Sequence, residues 1–520
     1  MHARVMQQHL MLLLLLATTA TSMEYTGRIP AYTRGPQPNF MIPARNLANG
    51  VTFFGSHERL RLAMDRLARG DRTLVAVTGG SNTVGHGALN GFGWPVYLDH
   101  WLRDTFPAAS VKMFNGAVAG STSEYMSVCT LMHVPRNASI VVLEYGHNDL
   151  HHTSGHEPMD NPQRRPFERL VRKVLNYPNR PAVILLNAYA WHETSPFKGA
   201  YWDNAEHAFS EYSSYYELPS LSVKACCYHL MRNNTPGFRI DVRNRTPETA
   251  EELKWETFYS DGVHGSGDTG HRVMAELLIH SLMLAQASLK FQPISEADRS
   301  AAAAPLPPPM VPGNDAGTSD RCLIGRYLTK AVSGDHPGWA WVDESRAGQQ
   351  AKLGFVSNTT GASISFKVDT TSQIARSGAP KLKAEGEATA TQETAGVVTV
   401  GIMHLQSYEG MGKGTISCGN GCTCSGEQGR LTIDGHDGSR KVSQVHMHSL
   451  FASQAKECVI TVTVAGETSS GGHKVKVQGI FVSEEAVSDG SGSAWDPAVS
   501  NGVLGLVDEI KGDLVEAHIG

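Results

Sequence analysis

A short apolar strand that runs straight into two glycines and a serine constrains this chain more than any other feature. In Thr73–Gly85, Leu74 to Val77 reads as a buried strand, and Gly79 and Gly80 let the backbone turn tightly enough to present Ser81 at the strand's carboxyl edge. Open α/β sheets place their working groups at that edge. Strand-like runs near Leu74, Val111, Ile140 and Val183 alternate with helix-like segments at Pro95–Thr105 and Pro166–Leu175. That alternation predicts a parallel sheet covered on both faces. Helical patterning begins near Ser56, with Leu60, Met64 and Leu67 on one face, and the strongest helix pattern runs from His271 to Leu289.

A serine hydroxyl is a weak nucleophile without a base, and an acyl-transfer site also needs donors for an oxyanion. Three later segments supply candidates. Asn115–Ser123 follows an apolar run and offers the Gly120 amide; Ser139–Glu144 leads into Tyr145-Gly-His-Asn-Asp149, where Asn148 offers a side-chain amide. Ser260-Asp-Gly-Val-His264 precedes the last strong helix, and Asp261 lies three residues before His264. At that spacing the carboxylate can orient the imidazole while the other ring nitrogen takes the serine proton. No Gly-Lys-Ser/Thr follows Gly80, which argues against a phosphate-binding loop. His86, His151, His152 and His192 read as solvated loop histidines.

These four segments, in this order, resemble the SGNH hydrolase superfamily of GDSL-like esterases and lipases. The resemblance implies a three-layer α/β/α domain in which Ser81 is the nucleophile and also gives its backbone amide to the oxyanion hole. It implies further that Gly120 and Asn148 are the other oxyanion donors, and that His264 is the base, oriented by Asp261. The chain departs from the family pattern at Gly80, where an Asp usually precedes the serine, and more mildly at His147 and at Gly265, where a proline is frequent. Such a mechanism requires no metal and no organic cofactor.

With 520 residues, 41% of them hydrophobic and 18% charged, the chain exceeds one ordinary domain. The formal net charge of −5 shows no basic field, which disfavours nucleic acid as a partner and leaves no polybasic membrane patch. Arg4, the apolar run Leu10–Ala17 and the small residues through Ser22 read as a signal peptide over 1–22. Its apolar run is short against the roughly 17–25 residues of a membrane span, so stable membrane insertion is not expected. The reading is a protein of the secretory lumen, the Golgi or the extracellular space. An SGNH-hydrolase-like domain is expected over 46–290 and a Pro/Ala-rich linker over 291–320, with Ser300–Pro312 extended. Short β-rich runs from 321 to 483 predict a β-sandwich, jelly-roll-like, and 484–520 a tail.

Eight cysteines, Cys129, Cys226, Cys227, Cys322, Cys418, Cys422, Cys424 and Cys458, permit full pairing without fixing it, and disulfides rather than metal ligation are expected on this route. Sequons at Asn137, Asn233, Asn244 and Asn358 are glycan acceptors where exposed. In the β domain Trp339, Trp341, Tyr408, His446 and His448 are either a sugar-binding face or ordinary packing. The functional expectation is a secreted serine esterase, its substrate an acylated extracellular or cell-wall carbohydrate or another small ester. Sugar O-acyl transfer and a non-catalytic glycan-binding role stay open, because these motifs do not separate water from a sugar hydroxyl as acceptor.

Overall fold

The computed structural model describes residues 39–483, apart from 150–157, 162–163, 192–200, 202–203, 245, 247, 316, 318–319, 346–351, 373–396, 427–430 and 439–443. The expected leader, the C-terminal tail, His151, His152 and His192 lie outside the described residues. The chain divides into two compact units, the first made of the segments up to Ala117, Val134–Gly155 and Val174–Pro307, and the second of Val118–His133, His156–Lys173 and the chain from Pro308 on.

The first unit is built on a six-stranded sheet. Its strands are β1 (Val51–Phe53), β2 (Thr73–Gly79), β3 (Val111–Asn115), β4 (Ile140–Glu144), β5 (Ala182–Asn187) and β6 (Ser220–Ser222), in the order β1-β6-β5-β4-β2-β3. All pairings are parallel except that of β1 with β6 at the edge. Every position of β2, β4 and β5 is buried, as central parallel strands covered on both faces require. One face packs Val75, Val77, Val142 and Ile184 against the helices Glu58–Ala68, Trp94–Thr105 and Gly270–Phe291, which contribute Met64, Trp101 and Leu278. The consequence for function lies in the register: Gly79 stands opposite Glu144, so the segments that leave β2 and β4 emerge side by side.

The stretch expected as an extended linker starts instead as a helix, Glu296–Ala303. Ser295 and Asp298 close a capping box at its start, and Asp298 also pairs with the buried Arg61 at 2.6 Å. Alanine is the best helix former, so the alanine run extends this nucleus until Pro305 cannot continue it. Local capping chemistry outweighs the overall Pro/Ala composition here.

The second unit carries β7 (Arg321–Ile324), β8 (Ala340–Asp343), β9 (Leu353–Ser357), β10 (Ser363–Val368), β11 (Val397–Gln406), β12 (Lys413–Gly419), β13 (Cys424–Gly426), β14 (Thr432–Asp434), β15 (Gln444–Ser453), β16 (Cys458–Val464) and β17 (Val475–Ser483). They form two antiparallel sheets, β10-β16-β12-β14 and β13-β15-β11-β17-β9-β8, with β7 also on β17. Ile364, Phe366, Ile460 and Val462 of the smaller sheet share one core with Val400, Ile402, Leu450 and Val477 of the larger, which makes the unit a β-sandwich. Burial alternates strictly along β16, as its alternating sequence predicts.

Three disulfides lie in this second unit: Cys129–Cys322, Cys418–Cys424 and Cys422–Cys458. Cys226 and Cys227, in the first unit, are buried and reduced. The sandwich aromatics divide by environment. Trp339 is core and Trp341 packs edge-on against Phe355, His448 is buried, and Tyr408 is exposed. Asn137, Asn233 and Asn358 are exposed, whereas Asn244 is 2% exposed and donates to Ser266 Oγ at 3.2 Å. Burial removes Asn244 from the glycan acceptors of the folded protein. Among the described residues no helix is long and apolar enough to cross a membrane.

Candidate active site

Ser81 follows β2 directly and begins a single helical turn, Ser81–Val84, with Gly80 at its cap. The side chain is 1% exposed, and its Oγ lies 2.8 Å from His264 Nε2. On the other side of the ring, His264 Nδ1 lies 2.6 Å from Asp261 Oδ2. Asp261 Oδ1 accepts from the backbone N–H of Val263 and of His264, both at 2.8 Å, so the carboxylate caps its own loop while it holds the imidazole. Burial alone would raise the Asp261 carboxyl. The bond to His264, the field of that ring and the two N–H donors outweigh burial and bring it down to about 2. The serine, histidine and aspartate expected from sequence therefore come together at hydrogen-bond distance. In this geometry the imidazole can take the hydroxyl proton while the aspartate stabilises the resulting charge.

The loop that presents His264 is pinned from several sides. Ser260 N–H donates to the His264 carbonyl at 2.9 Å, Ser260 Oγ donates to Gly87 O at 2.5 Å, and Gly265 N–H donates to Asn82 Oδ1 at 3.4 Å. Gly87 has φ 87°, and a Cβ there would stand 2.3 Å from Gly265 O, so glycine is needed for both conformation and space.

Asn148 sits at the end of the neighbouring strand, held by its backbone N–H on Tyr145 O at 3.1 Å. Its side chain lies against Gly80: a Cβ on Gly80 would fall 2.3–2.5 Å from Asn148 Oδ1, Nδ2 and Cγ. Position 80 has no room for a side chain while Asn148 stays where it is. Gly80→Ala is expected to displace the Asn148 side chain and, through it, to lower turnover as far as Asn148→Ala does, about 10²–10³-fold. Because both changes act through one group, Gly80→Ala added to Asn148→Ala should cost little more than Asn148→Ala alone. Steady-state kinetics of the two single variants and the double variant check this.

Gly120 adopts φ 70° in the turn closed by Ser121 N–H on Val118 O at 3.0 Å. The backbone conformation is one that glycine favours; its oxyanion role stays an expectation.

Sequence reasoning missed three contributors. His86, expected in solvent, packs edge-on to His264 with ring centroids 5.5 Å apart, and burial followed by repulsion from His264 brings its imidazole down to about 4. His271 is fully buried; its Nδ1 accepts from Trp94 N–H at 3.3 Å, and its Nε2 donates to His86 O at 2.8 Å. Burial likewise lowers His271 to about 4, so it is a neutral strut. The third is Glu144, directly behind the serine turn. Glycine spacing in Gly85–Gly93 hints at a close-packed loop, but no local pattern reveals which ring it brings to His264. A separate cavity of about 400 Å³, lined by Arg59, Ala182, Tyr216 and Pro305, opens where β5 begins, at the opposite end of the strands from Ser81.

No family model matches the sequence, and no curated protein matches it. Among solved structures, the chain is similar to a two-domain esterase active on acetylated mannans, crystallised with mannopentaose, at 18% identity and a TM-score of 0.58. The match covers 86% of this chain and 100% of that one. A second structure of a two-domain esterase active on acetylated mannans gives 18% identity, a TM-score of 0.57, and coverage of 85% and 99%. At this identity the likeness shows the fold: an α/β domain followed by a β domain.

Proposed function

We propose that this chain is a secreted serine esterase that removes short acyl groups, acetate first among them, from a carbohydrate. The observation that carries the reading is the continuous Asp261–His264–Ser81 relay, 2.6 Å and 2.8 Å between successive polar atoms. The acetylated mannan of the structurally similar esterase supplies the first substrate to try.

In the proposed reaction Ser81 Oγ attacks the ester carbonyl carbon as its proton passes to His264 Nε2. The carbonyl oxygen becomes an oxyanion facing the Ser81 amide, the Gly120 amide and the Asn148 side chain. The tetrahedral intermediate collapses, the sugar oxygen leaves with the proton from His264, and an acyl-serine remains. Water, deprotonated by the same nitrogen, attacks that ester; the acid departs and Ser81 regains its proton.

The test is acetate release from acetylated mannan and acetylated xylan by the purified protein. Asn148→Ala should lower kcat about 10²–10³-fold while KM changes little, because the lost donor acts on charge that exists only in the transition state. An unchanged kcat would remove Asn148 from the oxyanion site. Absence of acetate release from any acetylated glycan would argue for the glycan-binding alternative.

A further inference from the structure

Glu144 ends β4 with its side chain at 0% exposure, behind the turn that presents Ser81. Its Oε2 accepts from Thr83 Oγ1 at 2.9 Å, and Thr83 belongs to the same helical turn as the serine. The Thr83 carbonyl accepts from Asn115 Nδ2 at 2.8 Å, which ties that turn to β3 as well. Between strand and turn there is no slack. A Cβ on Gly79 would stand 2.4 Å from Thr83 Oγ1, 2.6 Å from the Glu144 carbonyl oxygen and 2.9 Å from Glu144 Cβ. The other carboxyl oxygen, Oε1, is buried without a hydrogen-bond partner. A carboxyl group so placed is an expensive way to fill space, since burying one ionised costs far more than burying a hydrocarbon of the same size.

We propose, on the esterase reading above, that Glu144 is a positioning residue: neutral, it anchors the turn that aims Ser81, and ionised, it sets a negative charge behind the oxyanion donors and slows the reaction. Burial pushes its carboxyl up to about 8 despite the opposing bonds from Thr83 and the Gly80 amide, and the Asp149 carboxylate on the loop after β4 adds to the rise. Among the described residues Asp149, on the loop after β4, is the charged group whose field acts on it. The sign follows directly. Below about pH 8 the Glu144 carboxyl is protonated and uncharged; above it, its fixed negative charge opposes the oxyanion that forms in the transition state.

The experiment follows the rate of Ser81 labelling by a fluorophosphonate, and the rate of hydrolysis of p-nitrophenyl acetate, by the full-length protein from about pH 5 to about pH 10. Wild type should show a decline of about tenfold above pH 8. Glu144→Gln keeps size and hydrogen bonding without titrating, and should lose the decline; the readout is the shape of the profile, which a merely structural role would not move. Thr83→Val removes a donor that favours the carboxylate, so it should carry the decline to higher pH, and it decides the matter should Glu144→Gln not fold. A wild-type profile without the decline, a Glu144→Gln profile that keeps it, or an unshifted Thr83→Val profile overturns the proposal. Labelling of Ser81 at no pH would overturn the esterase reading and this inference together, whereas labelling with an unaltered profile in the variants overturns this inference alone.

Discussion

Ser81→Ala is expected to abolish fluorophosphonate labelling and to lower ester turnover by about 10⁴–10⁶-fold, the cost of removing a nucleophile that works as a unit with its base. The substitution is a clean probe in this site. The Ser81 side chain is buried and its Oγ has His264 Nε2 as partner at 2.8 Å, so alanine removes one hydroxyl without opening a large void. The residual penalty is the buried His264 nitrogen left without its partner, about 1–3 kcal/mol. His264 itself stays fixed, because Asp261 Oδ2 and the backbone bonds of Ser260 and Gly265 do not involve the serine. A folded Ser81→Ala protein, checked by an unfolding transition close to that of wild type, would therefore report on chemistry. Labelling that survived the change would place the reactive nucleophile elsewhere and remove the relay from the mechanism.

Much of this site was legible because its parts are local. The strand-to-glycine turn before Ser81 is a contiguous pattern, and Asp261 and His264 meet within one loop, so their contact needs no knowledge of the fold. Asn148 was legible at one remove: β2 and β4 both read as buried strands, and parallel neighbours bring their carboxyl ends to the same edge. What was hidden depends on contacts distant in sequence. His86 meets His264 across 178 positions of chain, and Glu144 meets Thr83 across 61; neither residue carries a local signature. The three-residue strands β1 and β6 are too short to show a period, and β6 is read only through its neighbours β5 and β1. In the sandwich, individual strands such as β16 were plain from alternation, but nothing along the chain states that β11 lies between β15 and β17. Gly80 shows both sides of this. Sequence marks it as part of a tight turn, and only the folded chain shows that Asn148 packs against it.

Asp261→Asn is expected to lower kcat by about 10³–10⁴-fold, through the tautomer of His264 rather than through the loss of a charge. Asp261 Oδ1 accepts two backbone N–H groups, from Val263 and His264, at 2.8 Å each. An asparagine can satisfy them only with its carbonyl oxygen, since an NH₂ group turned that way would face two donors. Its NH₂ must then point at His264 Nδ1, where Oδ2 stood at 2.6 Å. An amide donor there requires Nδ1 to accept, which moves the ring proton to Nε2 and leaves that nitrogen unable to take the proton of Ser81. The electrostatic alternative predicts less: the Asp261 side chain is 52% exposed, so water screens much of its field at the ring. The pH profile separates the two. With its carboxyl held at about 2 by the bonds from His264 and the loop amides against the opposing effect of burial, Asp261 stays ionised throughout the working range, and its own titration adds no limb. A tautomeric block therefore lowers the rate at every pH where the imidazole is neutral, and salt should not restore it. Should Asp261→Asn instead lose only a fewfold in rate, with the loss varying with ionic strength, the carboxylate would be acting as a distant charge and the loop-capping bonds would not be setting the direction of the histidine's proton.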